Sequence, residues 1–374
     1  MTPFNKPYLT GKETKYIEEA VASGKISGNG IFTQKCQKFF EDKYGFKKTL
    51  LTTSCTDALE MCAILADIKP DDEVIVPSYT FVSSALPFVR QNAKIVFADS
   101  YSDNPNIDAD KIEELITDKT KAIVVVHYAG IACDMEKILE ITEKYNLILI
   151  EDAAQAIDSY YVFKDGTQKA LGSIGHLGAF SFHETKNIIA GEGGMLTIND
   201  EQFINRAEII WEKGTNRSMF FRGEINKYGW VDTGSSFLPS EIISAFLWAQ
   251  LENIESIQKK RLEIWKKYHE GLEDNENISL PVIPKYATNN AHMFYIVCKN
   301  IDFRTELIKK LKENNILAVF HYLSLHKSEF YTQKHDSRDL PNSDKFEDCL
   351  LRLPLYFELN EEEQQRVINT INEF

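Results

Sequence analysis

The chain has 374 residues, of which 43% are hydrophobic and 26% charged, and its 42 basic and 56 acidic side chains give a formal net charge of −14. That length can bury a large core without disulfides or metals, and the acidic balance argues against non-specific nucleic-acid binding without excluding a phosphate site built from backbone N–H groups. Six cysteines without a CxxC pair, a start (Met1-Thr2-Pro3-Phe4) lacking the basic and apolar parts of a secretion signal, and no apolar run near the roughly 20 residues of a membrane span lead us to expect a reduced, cytoplasmic protein with no membrane segment.

Two helices are predicted before Lys48, from the helical spacing of Tyr16, Ile17, Ala20 and Val21 and of Cys36, Phe39 and Phe40. The turn-rich Ser23–Gly30 separates them. From Lys48 apolar strand candidates alternate with helical patterns. The strands are Thr49–Thr52, Glu73–Val76, Lys94–Ala98, Ala122–Val126 and Leu147–Ile150; the helices include Thr56–Leu65, Ala109–Ile116 and Met135–Tyr145. Short apolar strands between helices predict a mostly parallel sheet covered on both faces. Two more strands are expected at Ala179–Phe182 and Met195–Ile198, then a long helical region from Pro239 to about Leu272 that holds the domain hinge. After Asn277 the pattern restarts as strand (Met293–Val297), helix (Phe303–Glu313), strand (Leu317–Phe320) and helix (Glu361–Phe374), predicting a small α+β domain.

Four segments fall at strand ends, where open α/β sheets bind ligands. Ser54-Cys55-Thr56 opens a helix, so it reads either as a plain N-cap or as an anion site of free N–H groups. Pro77-Ser78-Tyr79-Thr80-Phe81 places aromatics after a strand, either in the core or stacked on a planar ligand. Glu151-Asp152-Ala153-Ala154-Gln155-Ala156 puts a carboxylate beyond a buried strand, either as a cap or facing a protonated heterocycle. Ser181-Phe182-His183-Glu184-Thr185-Lys186-Asn187 leads a strand into a lysine and then into the flexible Gly191-Glu192-Gly193-Gly194. A lysine is usually a solvated surface group; this one sits where backbone can approach closely.

In this order the four segments resemble the sugar aminotransferases of the DegT/DnrJ/EryC1/StrS family, and the resemblance covers essentially the whole chain. It implies an α/β fold of the fold-type-I pyridoxal-phosphate-dependent transferases. A large, mostly parallel sheet domain with the N-terminal helices would span residues 1–250, and a long linking helix with a small C-terminal α+β domain residues 251–374. The cofactor would be pyridoxal 5′-phosphate, with Lys186 as the Schiff-base lysine and Asp152 against the ring nitrogen. Gln155 would approach the ring hydroxyl and Phe81 the ring face. The backbone N–H groups of Cys55 and Thr56, with Ser181, would hold the phosphate. No metal is implied.

Four further segments look like the branch that makes dTDP-4-amino-4,6-dideoxyhexoses for surface polysaccharides: Val126-His127-Tyr128-Ala129-Gly130, Lys213–Ser218, Gly234–Leu238 and His292-Met293-Phe294-Tyr295. That likeness implies dTDP-4-keto-6-deoxyglucose as acceptor, L-glutamate as donor, a galacto-configured product and a homodimer with shared active sites. Asn216, Arg217 and Arg222 are candidates for the nucleotide, because guanidinium forks suit phosphate oxygens. A solvated loop is the competing reading. His321, Tyr322 and His326 are candidates for the sugar or nucleotide, or else satisfied core groups.

One departure stands out. Most of the family has Gly-x-Asn-x-Arg, its asparagine reaching the neighbouring subunit's phosphate; this chain has Gly234-Ser235-Ser236-Phe237-Leu238, so Ser236 would take that place and the arginine is missing. Other classes fare worse. The related sugar dehydratases carry histidine at the lysine position, intact Asp152 and Lys186 speak against a non-catalytic binding protein, and no GxGxxG follows the first strand as a dinucleotide-binding enzyme would require. The face on which sugar C4 is protonated, and amination at C3 instead, stay open.

Overall fold

The computed structural model describes residues 1–374. Two N-terminal helices, α1 (Glu13–Ala22) and α2 (Ile31–Tyr44), lead into β1 (Lys48–Thr52) and α3 (Cys55–Leu65). There follow β2 (Glu73–Pro77), α4 (Leu86–Arg90), β3 (Lys94–Ala98), β4 (Thr120–Val126), α5 (Met135–Tyr145) and β5 (Ile148–Asp152). A short hairpin, β6 (Tyr160–Val162) and β7 (Gln168–Ala170), precedes β8 (Leu177–Ser181) and β9 (Gly194–Ile198). Helices α6 (Ile204–Trp211), α7 (Arg217–Phe221), α8 (Glu241–Leu251) and α9 (Ile254–Leu272) come next. The C-terminal part holds β10 (Ile278–Ser279), β11 (Phe294–Cys298), α10 (Ile301–Glu313), α11 (Pro341–Cys349), β12 (Leu350–Leu353) and α12 (Glu361–Asn372). None of these helices is long and apolar enough to cross a membrane.

The large sheet has seven strands in the order β1-β9-β8-β5-β4-β2-β3. Only β9 runs against its neighbours; β8, β5, β4, β2 and β3 pair in parallel. The carboxyl ends of β1, β2, β4, β5 and β8 therefore share one edge with the start of β9. Both faces are covered, as the nearly uninterrupted apolar strands require. One apolar cluster, including Phe40, Ile123, Leu149 and Phe182, lies on one side of the sheet, and a second, including Leu59, Val124, Ile150 and Leu196, on the other. Alternate residues of the same strand go to opposite sides.

A three-stranded antiparallel sheet, β10-β11-β12, organises the C-terminal part. Helix α9 joins the two cores: Ile254 and Ile257 pack in the first, Ile264, Trp265, Tyr268 and Leu272 in the third. The chain's first residues also belong here, for Thr2 pairs with Ile316 and receives a 2.6 Å hydrogen bond from Arg366.

Most predicted strands lie within a residue or two of observed ones, and two predictions differ. Ala109–Ile116 forms only two short 3-10 turns, Ala109–Lys111 and Glu113–Leu115, not an α-helix. Only Ala109 and Ile112 are buried there, too few to give a helix an apolar stripe. Leu317–Phe320 is not a strand of the small sheet; it touches β12 at the single pair Val319–Arg352, with Leu317 and Phe320 exposed. The third strand is Leu350–Leu353, whose apolar run is broken by an arginine. The predicted long helix after Pro239 is two helices, broken at Glu252–Asn253.

Candidate active site

A cavity of about 450 Å³ opens at the shared strand edge. Its wall includes Ser54, Cys55, Thr56, Phe81, Asp152, Gln155, Ser181, Lys186, His321 and Tyr322, together with Phe4, Thr80, Ser83, His183, Glu192 and Arg352.

One end of the cavity is the start of α3. Ser54 caps the helix, its hydroxyl accepting from the Asp57 N–H at 3.1 Å. The N–H groups of Cys55 and Thr56 have no acceptor within the chain, as expected for the first turn of a helix. Gly194 lies directly beneath: a Cβ there would overlap the Ser54 carbonyl and the Cys55 nitrogen. The glycine lets β9 pass under the turn and hold these donors at the cavity edge.

The opposite side is set by β5. Because successive strand residues point to opposite faces, Glu151 and Asp152 have different surroundings. Glu151 turns into the protein, where His127 Nε2 lies 2.9 Å from its carboxylate and the N–H groups of Gly172 and Ile174, at 2.7 Å each, and of Gly175 donate to it. Asp152 faces the cavity. Its carboxylate accepts from the Ser84 hydroxyl at 2.7 Å and the Ala154 N–H at 3.1 Å. It forms no ion pair, and burial holds its pKa above the usual carboxylate range despite the opposing pull of Ser84, Ala154, Lys186 and His127.

Lys186 stands in the turn between β8 and β9. The turn closes through the Lys186 N–H to His183 carbonyl bond (2.9 Å), and Gly191 takes a left-handed φ of 79°. The next residue anchors it: Asn187 donates to Gln258 on α9 (2.8 Å) and to the Asn290 carbonyl (2.9 Å), and its own carbonyl lies 2.8 Å from His292 Nδ1. Burial pushes the Lys186 amine down to about 8; Asp152 pulls the other way and Arg352 adds to the depression. Cys55 is also close, but burial pushes its thiol up, so it is uncharged near neutral pH and Asp152 is the effective counter-charge.

The small-sheet side completes the wall. Tyr79 and Tyr128 both donate to the His321 carbonyl, at 2.6 and 3.1 Å, and Tyr79 accepts from the Tyr322 N–H at 2.9 Å. Gln155 accepts from the Ala129 N–H at 2.6 Å and donates to the Tyr322 hydroxyl at 3.2 Å. Phe81 keeps 54% of its surface exposed at the cavity mouth, 5.7 Å from the Tyr322 ring.

Several predicted residues are not brought here. His326 is a core group instead, buried and 2.7 Å from the Ser78 hydroxyl through Nδ1. Asn216, Arg217, Arg222 and Ser236 lie outside this chain's cavity. Arg222 is paired with Glu208 and Glu224 at 2.6 Å each, Arg217 stands 3.9 Å from Glu212, and Asn216 accepts from the Gly229 N–H. Two residues were missed. Ser84 steadies Asp152 from a turn with no motif of its own. Arg352 had a visible signal, a lone charge inside the apolar run Leu350–Leu353.

The residues present fit pyridoxal 5′-phosphate. Free helix-start N–H groups suit its phosphate, an unpaired buried carboxylate suits its protonated ring nitrogen, and an amine held near neutrality suits its aldehyde.

The sequence profile of the DegT/DnrJ/EryC1/StrS aminotransferase family matches residues 7–372. The spore coat polysaccharide biosynthesis protein SpsC of Bacillus subtilis is 30% identical, over 99% of this chain and 96% of its own length. The GDP-perosamine synthase of Escherichia coli O157:H7 is 29% identical, over 100% and 98%. Among solved structures, the pyridoxal-phosphate form of the putative sugar aminotransferase Spr1654 from Streptococcus pneumoniae superposes with a TM-score of 0.90 at 25% identity, covering 99% of this chain and 97% of the other.

Proposed function

The chain belongs to the DegT/DnrJ/EryC1/StrS aminotransferase family, and from that premise we propose that it is a pyridoxal-phosphate-dependent nucleotide-sugar aminotransferase. In this reading it moves the amino group of L-glutamate to the 4-keto carbon of dTDP-4-keto-6-deoxyglucose, giving the galacto-configured 4-amino sugar for a surface polysaccharide. The observation that carries it is the convergence of the Lys186 amine, the Asp152 carboxylate and the free N–H groups of Cys55 and Thr56 on one cavity. Support for the sugar class comes from relatives named for polysaccharide biosynthesis and for a nucleotide-linked sugar.

Bound pyridoxal 5′-phosphate supplies an aldehyde carbon through which the amino group passes and a ring that draws electron density from the reacting carbon. The chain supplies the rest. The α3 start and Ser181 hold the phosphate end. Asp152, steadied by Ser84 and Ala154, keeps the proton on the ring nitrogen. Gln155 presents its amide N–H beside the ring hydroxyl, and Phe81 covers one ring face. Lys186 Nζ, basic yet largely neutral not far above pH 8, takes the proton from the donor's Cα and later delivers one to the sugar's C4.

A homodimer is part of the proposal. Ser236 and the Arg217 region are exposed and outside their own chain's cavity, beside Trp230, 84% exposed, and Phe221. Across a two-fold axis each chain's loop would complete its partner's site. NMR of the product from L-glutamate and dTDP-4-keto-6-deoxyglucose tests the reaction. The expected result is a 4-amino-4,6-dideoxygalactose nucleotide; no amination of this acceptor sinks the assignment, and a gluco or C3-amino product corrects it.

A further inference from the structure

Arg352 projects from the middle of β12 and lines the cavity that also holds Lys186 and Asp152. It is only 7% exposed, and a buried guanidinium is costly unless an anion or a full set of acceptors compensates it. Neither is present. No carboxylate lies within ion-pair distance. Its Nε is buried without an acceptor, and its sole side-chain hydrogen bond runs from Nη1 to His321 Nδ1, a weak one at 3.3 Å. His321 cannot serve as an anion; burial and the guanidinium itself keep its ring neutral. The Phe4 ring supports Arg352 from one side, 4.9 Å from Cζ. The plane is thus fixed while one donor edge lacks a partner, the arrangement that accepts a carboxylate in two parallel hydrogen bonds.

We infer that Arg352 binds the α-carboxylate of the amino-acid donor. The inference rests on the reaction proposed above and assigns a contact within it. Three anionic groups could enter this cavity. The cofactor phosphate has its own donors at the α3 start. The nucleotide diphosphate is separated from the reacting sugar carbon by the pyranose ring, which places it toward the mouth. The α-carboxylate is one bond from the carbon whose proton Lys186 takes, and Arg352 lines the same wall closely enough for its charge to depress the lysine. With Asp152 matched to the ring nitrogen, Arg352 is the buried cation left to be neutralised, and a donor carboxylate does so at each turnover. Binding there also orients the Cα–H bond, since two hydrogen bonds fix the carboxylate plane.

The test uses the holoenzyme and two variants, Arg352→Gln and Arg352→Lys. Calorimetry with α-methyl-L-glutamate, which has the carboxylates but no Cα hydrogen, reads binding without turnover. The affinity is expected to fall at least about tenfold in Arg352→Gln, the scale of lost hydrogen bonds between charged groups, and by less in Arg352→Lys, which keeps the charge without the fork. In stopped flow the glutamate half-reaction should weaken in parallel, while the amine-charged enzyme reacts with the keto sugar within about twofold of wild type. Unchanged probe affinity in Arg352→Gln overturns the inference. So does a wild-type enzyme that does not bind the probe, or a variant impaired only with the sugar. The probe affinities decide Arg352 whether or not any keto sugar accepts the amino group, so a wrong acceptor and a wrong arginine give different results.

Discussion

The cavity floor and the Asn216–Leu238 loop both carry residues suited to a phosphorylated ligand, yet the fold treats them differently. On the floor, Asp152 and the α3 start are fixed by strand ends, and Asn187 ties the lysine turn to α9. Their charges lack partners: Asp152 has no ion pair, and Lys186 owes its depressed pKa to burial. In the loop the charges are already satisfied. Arg222 pairs with Glu208 and Glu224, and Arg206 with Asp232 at 2.8 Å, on a surface where such pairs contribute little. Unmatched charge held rigidly in a cavity is a site in one chain; matched charge on an exposed loop gains a role only when a second surface meets it.

The largest expected effect is on the floor. Lys186→Ala should lower turnover by about 10⁴-fold or more and remove the borohydride-sensitive absorbance of the lysine-linked cofactor; a retained band would assign the linkage to another lysine. The depressed pKa adds a pH signature. Only the neutral amine attacks an aldehyde, so cofactor attachment to apoenzyme should speed up with rising pH and level off just above about 8. A rate still climbing well beyond that range would show the amine to be ordinary.

Asp152→Asn should keep the cofactor and lose roughly 10²- to 10³-fold in kcat, the scale of removing one preorganised electrostatic partner. A near wild-type kcat would move the floor's charge logic elsewhere. For the loop, sedimentation at assay concentration should show a dimer, with activity lost as dilution separates the chains; an active monomer would leave the loop without a purpose. The smallest effect belongs to Arg217→Ala, expected to raise KM for the nucleotide sugar about tenfold while sparing the glutamate half-reaction, which involves no diphosphate. If both halves slow equally, the loop serves the cofactor or the donor and the contrast between the regions fails.

Much of the floor was legible in the sequence because its residues come in local segments. Ser54-Cys55-Thr56, Glu151–Ala156 and Ser181–Asn187 each follow a buried strand, and the order of such segments survives in one dimension. The large sheet was legible for the same reason: short apolar strands bounded by turns have few readings. Local pattern failed where burial is decided from a distance. Leu317–Phe320 looks like a strand, but it is apolar on a surface where β12 offers it one bridge. His326 looked like a ligand because the Ser78 hydroxyl that satisfies it is 248 residues away in the chain.

The sequence by itself determined the strand–helix alternation, the family and the identities of Lys186 and Asp152, all carried by contiguous residues with short-range rules. Tertiary structure decided which charges are answered. Glu151 and Asp152 are neighbours in sequence, and only the three-dimensional placement of Gly172, Ile174, Gly175 and His127 satisfies the first while the second is left facing the cavity. Glu241 caps the start of α2 from across the molecule, reaching the Gly30, Phe32 and Thr33 N–H groups at 2.9, 2.7 and 3.0 Å. Arg352, from the small sheet, meets Lys186, from the large one, at the same cavity. The cost of a buried charge depends on the atoms around it, and those atoms come from parts of the chain that only folding brings together.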